Sequence, residues 1–134
     1  MMTGGCQCGA VRYRVDAVPR RVYCCHCTEC RAQSASAFGI SVRVPSGSVV
    51  LTRGAVRVWT RPTTSGKRLD CAFCPDCGTR LWHVNAPPGA MLSIKGGSLD
   101  EPVDLTDAAH IWVAHKLPGV LIPDYAETWD GEPD

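Results

Sequence analysis

No run of about 18 apolar residues occurs in the chain, so a helix that crosses a bilayer is excluded. No charge of one sign dominates either. Fourteen Lys and Arg stand against 13 Asp and Glu, leaving a formal net charge of +1 with 20% of residues charged. That balance gives no bulk electrostatic pull toward nucleic acid or a membrane surface, and neither is expected as a partner. A long amphipathic helical pattern is missing too, which points away from a helical class. The N-terminus passes from Met1 and Met2 into Thr3, Gly4, Gly5 and Cys6 without the apolar core of a secretion signal, and the expected location is the cytoplasm.

What the chain does have is cysteine, 9 in 134 residues. A reducing cytoplasm makes these poor disulfide material, and an odd number cannot pair completely, so metal ligation is the better use. At 45% hydrophobic the chain is long enough for one core, and a single zinc-binding domain over residues 1–134 is expected, with an added cross-link useful at this size.

The class reads as mainly β. Gly9 to Asp16 alternates Val11, Tyr13 and Val15 with Arg12, Arg14 and Asp16, the period of a strand with one buried face. Further strands are predicted over 38–44, 48–52, 56–60, 79–84, 91–95 and 111–114, each bounded by Gly, Pro, Ser or Asn. One short helix is predicted from Thr28 to about Ser34. Residues 61–66 and 85–89 read as loops, and the acidic tail 127–134 as frayed.

The cysteines fall into clips. Cys6-Gln7-Cys8 opens a strand, and Cys74-Pro75-Asp76-Cys77-Gly78 is a tight turn whose Pro and Gly aim two sulfurs the same way. Zinc takes four ligands in a tetrahedron, so the two clips together make a closed four-cysteine site of structural type. The run Tyr23-Cys24-Cys25-His26-Cys27-Thr28-Glu29-Cys30-Arg31 is denser than one ion needs. Either Cys24, Cys27 and Cys30 or Cys25, Cys27 and Cys30 can form a three-thiolate claw, and His26 is a further donor; spacing alone does not choose. Three protein ligands leave a fourth zinc position open to water or substrate. Three thiolates around a divalent zinc carry a net single negative charge, a weak Lewis acid for activating water. A soft, exchangeable site of that kind suits a substrate that arrives as a thiol, and reactions at a carbon–sulfur bond are the natural class.

These residues resemble the family of glutathione-dependent formaldehyde-activating enzymes, which includes centromere protein V. The likeness is carried by Gly5-Cys6-Gln7-Cys8-Gly9-Ala10-Val11-Arg12-Tyr13, Cys25-His26-Cys27-Thr28-Glu29-Cys30-Arg31, Phe73-Cys74-Pro75-Asp76-Cys77-Gly78-Thr79 and Gly97-Ser98-Leu99-Asp100-Glu101-Pro102 with His110-Ile111. The resemblance implies two antiparallel sheets leaning together in a tent-like zinc-containing fold with short helical turns. It implies a structural zinc on Cys6, Cys8, Cys74 and Cys77, and a labile, catalytic one on Cys25, Cys27 and Cys30, in favour of Cys25 over Cys24. It further implies a carbon–sulfur lyase acting on a thiol–aldehyde adduct such as S-hydroxymethylglutathione, with glutathione or another small thiol as partner.

Other residues read more plainly. Cys24 and Cys71 are taken as small apolar fillers of strands. His83, His110 and His115 are taken as structural, and Trp59, Trp82 and Trp112 as core or sheet-face residues. Arg31, Lys67 and Arg68 are secondary candidates for binding glutathione carboxylates. The competing hypothesis to an enzyme is a zinc-stabilised binding module with no catalytic activity. A fourth protein ligand at the central cluster separates the two.

Overall fold

The computed structural model describes residues 1–133. Ten strands, one short α-helix and three 3-10 turns make up the described chain. The strands are β1 (Met2–Gly5), β2 (Arg12–Val15), β3 (Arg21–Cys25), β4 (Gly39–Pro45), β5 (Val49–Arg53), β6 (Arg57–Pro62), β7 (Arg68–Phe73), β8 (Arg80–Ala86), β9 (Met91–Lys95) and β10 (Ala109–Ile111), and the helix is α1 (Thr28–Ser34). They form a three-stranded sheet, β1-β2-β5, and a seven-stranded sheet, β10-β3-β4-β9-β8-β7-β6. All pairs are antiparallel except β10 with β3, so the class is mainly β as expected, with one parallel seam.

The core lies between the sheets. Val11, Tyr13 and Val15 of the small sheet meet Val42, Val44, Leu81, Leu92 and Ile94 of the large one, and Tyr13 presents its ring edge-on to Trp82 at 5.6 Å. The alternation read in the sequence therefore marks the inner face of β2. Burying each such aliphatic side chain contributes about 1.5–3 kcal/mol. Cys6 and Cys74 sit in the same cluster, at the edge where the sheets meet.

The expected helix is found at Thr28–Ser34, and the β9 prediction also matches. Three strands escape the sequence reading: β1 is only four residues long, and β3 and β7 carry Cys24, Cys25 and Cys71 where a polar–apolar alternation would show. The strand expected at 111–114 instead ends at Ile111, because Trp112 takes a left-handed backbone (φ 56) and a 3-10 turn follows. β6 and β8 run into the expected loops, to Pro62 and Ala86. The acidic tail is not frayed over its described part. The His110 amide donates to the Glu127 carbonyl (2.9 Å), Trp129 donates to His110 (3.0 Å), and Trp112 donates to Gly131 (3.1 Å), which lays the tail alongside β10. Asp134 lies outside the described residues.

Candidate functional site

The four sulfurs of Cys6, Cys8, Cys74 and Cys77 converge, all within 4.8 Å of one another. Two turns from different sheets deliver them. Cys6 and Cys8 sit in the β1–β2 connection of the small sheet, with sulfurs 3.6 Å apart; Cys74 and Cys77 sit in the β7–β8 connection of the large one, and Cys8 lies 3.8 Å from Cys74. The second turn is closed by the Cys74 amide on the Thr79 carbonyl and the Gly78 amide on the Cys74 carbonyl. Gly78 occupies φ 80, a conformation that costs little only without a β-carbon. Backbone amides of Asp76 and Cys77 point at the Cys74 sulfur (3.4 and 3.5 Å), and that of Val11 at Cys6 (3.1 Å). Hydrogen bonding with the Thr79 hydroxyl and amide brings the Cys77 thiol down to about 6. Amides aimed at sulfur stabilise thiolate, which is the form a metal needs, so the donor set fits a metal ion.

Cys25, Cys27 and Cys30 make the second cluster, again within 4.8 Å, and no fourth ligand joins them among the described residues. Cys25 ends β3, Cys27 caps the N-terminus of α1, and Cys30 lies in its first turn. The Cys27 sulfur accepts the Cys30 amide at 3.3 Å and lies 3.4 Å from the Cys25 sulfur. That sulfur–sulfur hydrogen bond pushes the Cys25 thiol up and the Cys27 thiol down. Cys27 is also the half-exposed member, Cys25 and Cys30 being buried. The helix sits close on the sheet because residue 39 is glycine: a β-carbon there would approach the Cys30 β-carbon to 3.2 Å. The donor set is again soft and suits a metal ion.

Cys24 is fully buried on β3, opposite His110 of β10, and belongs to neither cluster. Burial pushes its thiol up to about 11, as expected of a filler. Nor is His26 a ligand. Its Nε2 lies 2.9 Å from His110 Nδ1, the two rings stack at 5.2 Å, and burial takes its pKa down to about 4, so it is neutral at pH 7. His110, read from sequence as simply structural, thus holds the residue between two cluster cysteines.

Around the second cluster the structure gathers residues the sequence kept apart. Strand register aligns Tyr23, Ser41 and Lys95 in one row, and Arg43, Ser93, His83 and Cys71 in the next. The Gln33 side-chain amide donates to Cys71 (3.4 Å) and Arg61 pairs with Glu29 at 3.7 Å, so α1 reaches across this face. Arg43 donates to the Ser93 hydroxyl (2.9 Å), and neither Arg43 nor Lys95 has a carboxylate partner among the described residues. His83 Nδ1, Gln33 Oε1 and Arg61 Nε are buried without protein partners. No motif announces this polar floor; only the pairing register does. The sequence candidates Lys67 and Arg68 are exposed at the β6–β7 hairpin, toward the edge of the sheet away from β3, and Arg31 lies on α1.

A two-sheet β fold with a closed cluster of four thiols and an open cluster of three defines a small protein able to hold metal ions on sulfur. The family model described as glutathione-dependent formaldehyde-activating enzyme matches residues 1–115, and the chain belongs to that family. A crystal structure of a Rhodobacter sphaeroides protein is 23% identical with a TM-score of 0.63, over 81% of this chain and 99% of that one, and shows the same fold. No described helix is long and apolar enough to cross a membrane.

Proposed function

We propose that the protein is a zinc-dependent enzyme of carbon–sulfur lyase type, joining a small thiol to an aldehyde or releasing both from an adduct such as S-hydroxymethylglutathione. The observation that carries this reading is the three-sulfur cluster of Cys25, Cys27 and Cys30, joined by no fourth ligand among the described residues, in a chain of this family. Zinc held there supplies a soft Lewis acid that favours the thiolate form of a substrate sulfur. In the joining direction the thiol loses its proton, the sulfur electron pair forms a bond to the aldehyde carbon, and the carbonyl π pair moves to oxygen, which takes up a proton from water. In the reverse direction the adduct hydroxyl loses its proton to water, the oxygen pair re-forms the carbonyl, and the carbon–sulfur bond breaks with its pair returning to sulfur. The cluster of Cys6, Cys8, Cys74 and Cys77 holds a second, structural zinc.

The polar floor extends the reading to the substrate. Lys95 and Arg43, without carboxylate partners among the described residues, are the cations suited to the carboxylates of glutathione, and the neutral His83 is a further hydrogen-bonding group. The test is X-ray absorption at the zinc edge, with and without millimolar glutathione, beside NMR detection of the adduct. One site should change from three sulfurs plus a lighter atom to four sulfurs, and adduct formation should be lost in Cys27→Ser. Four sulfurs at both sites in the resting protein, indifferent to thiols, would replace the lyase with a binding module.

A further inference from the structure

The cluster of Cys25, Cys27 and Cys30 has a wall that is complete only at residue 129. Tyr23, Trp112 and Trp129, all half-buried, pack with Cys27 against Cys25, Cys30 and Ile111. Tyr23 comes from β3, Trp112 follows β10 in its left-handed conformation, and Trp129 belongs to the C-terminal segment, beyond residue 115 where the family match ends. Trp129 is held firmly. Its amide donates to the His110 carbonyl (3.0 Å) and its carbonyl accepts from Val113 (3.1 Å), while the carbonyls of Glu127 and Gly131 are bonded to the same stretch. Behind it, the Arg21 guanidinium lies 5.5 Å from the Tyr23 ring and 5.7 Å from that of Trp129, and is paired with Glu127. The three rings stay partly open and pack on the same buried residues as Cys27, the partly exposed sulfur of the cluster.

We propose that Trp129 determines which thiols the cluster accepts, forming with Tyr23 and Trp112 an apolar wall for the carbon skeleton next to the substrate sulfur. This rests on the reading of the cluster as a thiol site. A thiol whose sulfur enters beside Cys27 carries its first carbons past these rings, because Cys25 and Cys30 are closed off on the buried side. Thiols with an aryl or other apolar group there are favoured over small hydrophilic ones, through apolar burial and ring packing.

The test uses the zinc-loaded full chain and two probes, phenylmethanethiol and 2-mercaptoethanol, with affinities measured by calorimetry. Trp129→Ala should weaken phenylmethanethiol roughly tenfold and 2-mercaptoethanol by less than about twofold, and Trp129→Phe should recover most of the difference. Circular dichroism melts accompany each variant; if the alanine variant melts early, Trp129→Leu keeps apolar volume, removes the flat ring, and gives the same comparison. Equal weakening of both probes, or none, overturns the wall while leaving the thiol site intact. A wild-type protein that binds neither probe nor glutathione overturns the thiol site itself, and the wall with it.

Discussion

Cys24 and Cys25 are neighbours on β3, yet Cys25 joins the three-sulfur cluster whereas Cys24 is sealed opposite His110. Alternation along a strand sends consecutive side chains to opposite faces, so one residue of register decides which sulfur faces the cluster.

Cys24→Ala should therefore leave both metals bound, at a modest cost from the shortened side chain, and Cys25→Ser should lose one. Elemental analysis of the purified variants checks it. Loss of a metal from the first and not from the second would reverse the assignment.

The two clusters should fail differently. Cys6 and Cys8 belong to the small sheet and Cys74 and Cys77 to the large one, so metal there is coupled to the docking of the sheets, on the order of 10 kcal/mol for structural zinc. Cys77→Ser should lower the melting temperature severely. Cys27→Ser, in a single local segment, should remain folded and lose mainly the second metal. Equal losses of stability would make both sites structural.

Lys95→Met should separate substrate charge from substrate sulfur. Loss of one charge-assisted contact is expected to weaken glutathione about tenfold while binding of neutral 2-mercaptoethanol stays within about twofold. Calorimetry on zinc-loaded protein gives both numbers. Identical changes for the two thiols would remove Lys95 from substrate recognition.

Burial takes His83 down to about 3, aided by the charges of Lys95, Arg61 and Arg43. The unfolded chain takes up a proton near the ordinary value of about 6.5, so the neutral folded form contributes stability above that pH. The contribution is lost progressively as pH falls from about 6.5 toward 3. Melting temperatures between pH 7 and pH 5 should fall less steeply in His83→Gln than in the wild type at equal zinc content. Parallel slopes would show that His83 does not drive the loss.

The parts of the molecule legible in the sequence are those whose signals are local. Cys6-Gln7-Cys8 and Cys74 to Cys77 carry their chemistry in their spacing, the run from Cys24 to Cys30 shows a three-thiolate claw but leaves Cys24 or Cys25 open without the family resemblance, and Thr28 to Ser34 is a helix that begins where Cys27 can cap it. Of the three strands that escaped, β1 is short, and β3 and β7 are those in which buried cysteines replace the usual aliphatic residues. Lys95, Arg43 and His83 share a face only through cross-strand register, which a linear reading does not contain. Trp129 is further removed still: its place beside the sulfurs depends on a parallel bridge between His110 and Thr128, formed after the chain has turned back on itself.

That bridge gives the site an order in time. On a ribosome, Cys25, Cys27 and Cys30 emerge adjacent to one another and well before Trp129. The tail can close along β10 only after the three cysteines have already come together in the chain, so the aromatic side of the cluster is completed later than its sulfurs.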